Sequence, residues 1–80
     1  MNTYETVKAR ILNLCEQRKI SIHKLAIDSG ISSSTIKSIL YGNSHNPGIV
    51  TIKILCDGLG ITLKEFFDTE EFENLEQEIK

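Results

Sequence analysis

SIHKLAIDSGISSSTIKSILYG, running from Ser21 to Gly42, decides how the rest of the chain is read. Leu25 and Ala26 put apolar surface on a first short helix, and Ile36, Ile39 and Leu40 on a second. Between them stands Asp28-Ser29-Gly30-Ile31. Gly30 takes a positive φ without a Cβ clash, and Ile31 folds back under both helices. Ala26 is small and lets the second helix cross close to the first. Ser32 and Ser33 supply a hydroxyl cap for the second helix. Two short helices and a glycine turn make a helix-turn-helix. In such a motif the second helix, here Ser33 to Tyr41, enters a DNA major groove, so a DNA-binding domain is the expectation to test.

Outward from the motif, the flanks also read as helix. Tyr4, Val7, Ile11, Leu14 and Cys15 recur at helical spacing and predict a helix from Thr3 to Arg18. Asn2 caps it, with Glu5 in the acidic position of a capping box. Arg18 and Lys19 close its last turn, where cations suit the helix dipole, and both are candidates for phosphate contact. Gly42 is expected as the left-handed stop of the second motif helix. A polar loop follows, Asn43 to Pro47, and Pro47-Gly48 sets up a helix from Ile49 to Leu59 that ends at Gly60. Thr62-Leu63-Lys64-Glu65 has capping-box spacing and opens a short fifth helix carrying Leu63, Phe66 and Phe67. No strand candidate, repeat or linker intervenes. The fold class is all-α, a compact five-helix bundle, with a short sixth helix available in the acidic tail.

Eighty residues at 40% hydrophobic content support one domain, small enough that a second copy would add stability. The organisation reads as a helix-turn-helix domain over 1–67 and an acidic tail over 68–80. No apolar run approaches the length of a membrane span, and the N-terminus lacks an apolar signal core, so the expected location is the cytoplasm. Cys15 and Cys56 read as buried, reduced hydrophobes. Together with His23 and His45 they match no paired zinc-ligand spacing, so neither a metal nor any cofactor is expected.

The net charge of −2 hides a division. Up to Lys64, eight basic residues face four acids, a net +4, whereas from Glu65 seven acids face Lys80 alone, a net −6. A mildly basic body with the acid held in its tail can still release counterions from a duplex. In that tail Phe72, Leu75 and Ile79 fall three and four residues apart. A helix there would carry an apolar strip that either packs back on its own chain or forms a self-complementary seam between two copies. Disorder is the third reading.

From Ile20 to Phe67 the sequence resembles the Cro and phage-repressor (XRE-like) helix-turn-helix family. The resemblance rests on Leu25-Ala26, Gly30-Ile31, Ser34-Thr35-Ile36, Gly42, Asn46-Pro47, Leu55, Leu59-Gly60-Ile61 and Leu63 to Phe67. It implies a lambda-repressor-like bundle and a repressor that binds operator DNA as a homodimer. By alignment, Ser32, Ser33, Ser34, Lys37 and Ser38 fall at base-edge positions. Asn43, Ser44, His45 and Asn46 fall where the sugar-phosphate backbone is met. Tyr41 either reaches that backbone with its hydroxyl or shields the helix end with its ring. Three departures matter. Many members carry Gln where this chain has Ile22 and Gln or Arg where it has Ser33, and Leu40 replaces a common acid. Serine makes single contacts to several bases, so modest selectivity, or readout through Lys37 and DNA shape, is expected.

An enzyme is disfavoured by inventory: no nucleophile with a motif context, no phosphate-cradling glycine loop and no paired acids in an apolar frame are present. No small-molecule substrate is therefore expected. The stronger rival is a protein-interaction module on the same scaffold, antitoxin-like or adaptor-like, with a protein partner on the acidic tail.

Overall fold

The computed structural model describes residues 2–42 and 45–79. Its elements are α1 (Thr3–Arg18), α2 (Ile22–Ser29), α3 (Ser33–Tyr41), α4 (Ile49–Leu59), α5 (Leu63–Phe67) and α6 (Glu70–Glu73). Every regular element among the described residues is an α-helix, as expected.

Local chemistry sets most of these boundaries. The Asn2 side chain accepts from Glu5 N–H at 2.8 Å, Ser21 from Lys24 N–H at 3.0 Å, and Ser32 from Thr35 N–H at 3.2 Å. Thr62 and Glu65 form both halves of a capping box, each bond 3.0 Å. Each of these bonds satisfies a backbone donor that a helix start leaves unpaired.

Helix ends divide into two kinds. Gly30 and Gly60 both sit at φ 71°, and Ile31 and Ile61 then donate back to the carbonyls of Ala26 and Cys56. That pattern closes the last turn and drops an apolar side chain onto the core. Lys19 does the same at φ 54° with no glycine: it lies beyond the last turn of α1 as a left-handed cap. Its place is fixed by Ile20, whose N–H reaches the Cys15 carbonyl at 3.1 Å and whose side chain packs on the core. Gly42 departs from expectation in the other direction. Its φ is −106°, so it is no left-handed stop. A Cβ at Gly42 would stand 3.0 Å from Ser38 Cα and 3.1 Å from Ser38 O, so a side chain there would crowd the last turn of α3.

The core is built from every long helix. Ile11 of α1, Leu25 of α2, Ile36 and Leu40 of α3, Leu55 of α4 and Phe66 of α5 are all fully buried. Burying one such side chain contributes about 1.5–3 kcal/mol, and this shared core holds α3 in place from behind. α2 packs closely on α4, where Gly58 meets Ser29: a Cβ on Gly58 would fall 2.2 Å from Ser29 Oγ.

In the tail the short sixth helix exists, but it covers only Phe72 of the expected apolar strip. Glu70, Glu71 and Glu73 suit the positive start of a helix, whereas Glu76 and Glu78 would oppose its negative end, and the helix stops at Asn74. Phe72 packs against Phe66 and Phe67, with ring centroids 6.1 and 4.9 Å away. Glu78 then accepts from the Thr3 hydroxyl at 2.7 Å, so the tail runs back along α1.

Candidate nucleic-acid interface

α3 turns Ile36, Ile39 and Leu40 into the core and leaves Ser34, Lys37, Ser38 and Tyr41 exposed. Lys37 makes no ion pair among the described residues, so its cation stands open on the outer face. A groove of about 350 Å³ runs beside this face. Ser34, Thr35 and Ser38 line one wall; Asn46, Pro47, Gly48 and Thr51, leading into α4, line the other. Gly48 stands at the N-cap of α4 without a side-chain bond, and among the described residues no side chain takes the early α4 donors, which suit an anion.

The serines at the start of α3 are not equivalent. Ser32 is the cap, and its hydroxyl also lies 3.1 Å from Ser34 Oγ and 2.9 Å from Thr35 Oγ1. Ser33 is half-buried and lies 3.0 Å from Nδ1 of His23 on α2. Nothing in the spacing of His23 and Ser33 announced that contact, because it depends on how α2 and α3 cross.

α1 braces the far end of α3. Tyr4 OH donates to the Ile39 carbonyl at 2.6 Å, and its ring stacks on His45 with centroids 4.5 Å apart and an angle of 20°. Lys8 Nζ stands 5.6 Å from the centre of the Tyr41 ring, a cation–π contact at the C-terminal end of α3. Tyr41 is nevertheless 65% exposed as a residue. Helical spacing places Tyr4 in the apolar stripe of α1, but a helix pattern does not reveal that its hydroxyl has a partner on another element.

Among the other candidates, Ser34, Ser38 and Asn46 meet around the one groove, and His45 and Asn46 also border a second hollow that includes Tyr4 and Glu78. Arg18 and Lys19 are exposed at the end of α1, just before the Ser21 cap of α2. Asn43 and Ser44 lie outside the described residues. Of the proposed seam residues, Phe72 and Leu75 are half-buried and Ile79 is 85% exposed. Arg10, not singled out from sequence, is structural: its guanidinium donates to the carbonyls of Phe66 and Glu65 at 2.8 and 2.9 Å and closes the end of α5. Among the described residues no cluster of three or more His, Cys, Asp or Glu side chains forms a metal site, and no helix is long and apolar enough to cross a membrane.

A core-braced pair of helices with the second one's polar face outward defines a helix-turn-helix domain. The chain belongs to the Cro/C1-type helix-turn-helix DNA-binding domain family, whose model matches residues 10–71. It is similar to the HTH-type transcriptional regulator SlrR of Bacillus subtilis (strain 168), with 39% identity over 62 residues. That match covers 76% of this chain and 41% of SlrR, so the chain spans about two-fifths of that regulator's length. The fold is also similar to the crystal structure of the prophage Lp1 protein 11, with a TM-score of 0.80 and 32% identity. This likeness covers 94% of this chain and 100% of the other.

Proposed function

We propose that the chain is a sequence-specific transcriptional regulator, a cytoplasmic repressor that binds operator DNA as a homodimer and blocks access to it. The observation that carries this reading is the division of α3 into a buried apolar side and an exposed side bearing Ser34, Lys37 and Ser38. The groove beside it, leading to the start of α4 where Gly48 makes no side-chain cap bond, supports phosphate contacts on the same side. Membership of a DNA-binding domain family and similarity to a transcriptional regulator point the same way.

In this reading α3 enters the major groove, Ser33, Ser34, Lys37 and Ser38 face base edges, and His45 and Asn46 face the backbone. Ser32 contributes as a cap. Arg18, Lys19 and Tyr41 add backbone contacts at their own ends of the interface. Leu75 and Ile79, continuing from the inward-packed Phe72, supply the contact between copies. The acidic tail remains the surface on which a protein partner would act.

Fluorescence anisotropy with duplex DNA at low and moderate salt tests the function. Affinity should fall steeply as salt rises, because each neutralised phosphate releases counterions. Lys37→Ala should weaken binding with the melting temperature nearly unchanged. A folded chain that binds no duplex at low salt would refute the regulator and leave the interaction module.

A further inference from the structure

The contact between His23 and Ser33 joins the second residue of α2 to the first residue of α3 across 3.0 Å. Ser33 is the member of the serine run whose hydroxyl is held by another element. Ser32 and Ser34 instead engage each other at 3.1 Å, and Ser32 also engages Thr35. A free serine hydroxyl rotates, and as donor or acceptor it satisfies several bases alike. One held against an acceptor cannot. A neutral imidazole carrying its proton on Nε2 offers a lone pair at Nδ1, and the Ser33 O–H then points at the ring. In that tautomer the serine has just its oxygen lone pairs left to offer and is an acceptor only.

We propose that His23 is a positioning residue for specificity: it holds the Ser33 hydroxyl as an acceptor, so that the first turn of α3 selects a base bearing an exocyclic amine. In the major groove such amines are N6 of adenine and N4 of cytosine; guanine O6 and thymine O4 are acceptors and cannot satisfy an acceptor. The proposal rests on the DNA-binding reading and deepens it. It also gives a serine-led α3 the directional readout that a freely rotating hydroxyl lacks. His23 acts through Ser33.

The test begins with duplexes selected from a random pool by the full chain. The position whose preference disappears in Ser33→Ala is then rebuilt with an oxygen in place of its amine, using hypoxanthine for adenine or uracil for cytosine, each with its own complement, so that only a hydroxyl free to donate is satisfied. The parent chain should lose about two- to tenfold in affinity on that duplex, the range of one net hydrogen bond. His23→Ala should bind both duplexes equally, while His23→Asn, whose Oδ1 accepts close to where Nδ1 did, should restore the loss. An equal loss in the parent and His23→Ala, or no loss in the parent, overturns the positioning role while DNA binding stands. Failure of the parent to bind any duplex at low salt removes the DNA reading itself, and this inference with it.

Discussion

The hydroxyl of Tyr4 donates to the carbonyl of Ile39 across 2.6 Å, so the first turn of α1 is tied to the last turn of α3. The same ring stacks on His45 in the loop that follows α3. One side chain thus fixes the end of the exposed helix and the path of the chain toward α4.

Tyr4→Phe keeps the ring and removes this bond. The expected loss is about 0.5–1.5 kcal/mol, and in a domain of this size each kcal/mol lowers the melting temperature by about 4–8 °C. Thermal unfolding followed by circular dichroism measures it. An unchanged midpoint would mean that the bond does not brace α3.

Gly58→Ala sets two effects against each other. Alanine raises intrinsic helix stability by about 0.8–1 kcal/mol over glycine, but its Cβ would meet Ser29 Oγ at 2.2 Å and Ser29 backbone at 3.0 Å. Overpacking of that kind costs about 1–3 kcal/mol, and the contacted backbone cannot swing away, so a net loss is expected. Ser29→Ala should be neutral or stabilising, because its buried hydroxyl has no partner among the described residues. Combining the two should recover part of the loss in denaturant titrations. A Gly58→Ala chain more stable than the parent would contradict the close crossing of α2 and α4.

The sequence reveals what is local. The starts of α1, α2, α3 and α5 follow from Asn2, Ser21, Ser32 and Thr62, and the left-handed ends of α2 and α4 from Gly30 and Gly60, because caps act within one turn of their own residue. The exposed side of α3 follows from the spacing of Ile36, Ile39 and Leu40. Contacts made across the fold are not legible in this way. Gly58 resembles a mere weak point in a helix until Ser29 is brought against it, and Tyr4, Arg10 and His23 find partners only once the helices cross. The tail misleads for another reason: its apolar spacing suits a longer helix than its late acids allow, and Phe72 is taken up by Phe66 and Phe67.

Lys19 holds φ 54°, a conformation that disfavours side chains with a Cβ. Lys19→Gly should therefore stabilise the chain by about 0.5–1 kcal/mol. It also removes a cation from the candidate backbone contacts, so duplex affinity should fall as stability rises. Lys19→Ala should lose the affinity without gaining the stability. If Lys19→Gly gains no stability in the same denaturant titration, the strain assigned to this cap is absent.

Cys15 and Cys56 are buried in the core, and burial pushes both thiols above the ordinary thiol range, partly offset by Arg18 at Cys15 and by Lys53 at Cys56. The folded chain therefore keeps these protons at a pH where the unfolded chain has lost them. The resulting stability is complete below the unfolded thiol pKa and is lost as pH rises through the raised folded value. Melting temperature should decline from about pH 8.5 upward, the ordinary thiol value, and less steeply in a Cys15→Ala, Cys56→Ala chain. Equal slopes would contradict the assignment.

Amide chemical-shift mapping of the full chain during titration with a duplex that it binds tests the central claim most directly. The largest shifts should fall on Ser33 to Tyr41 and on Asn46 to Thr51, the two walls of the groove beside α3. Shifts concentrated instead on the tail and the adjoining side of α1, with α3 unmoved, would contradict the account.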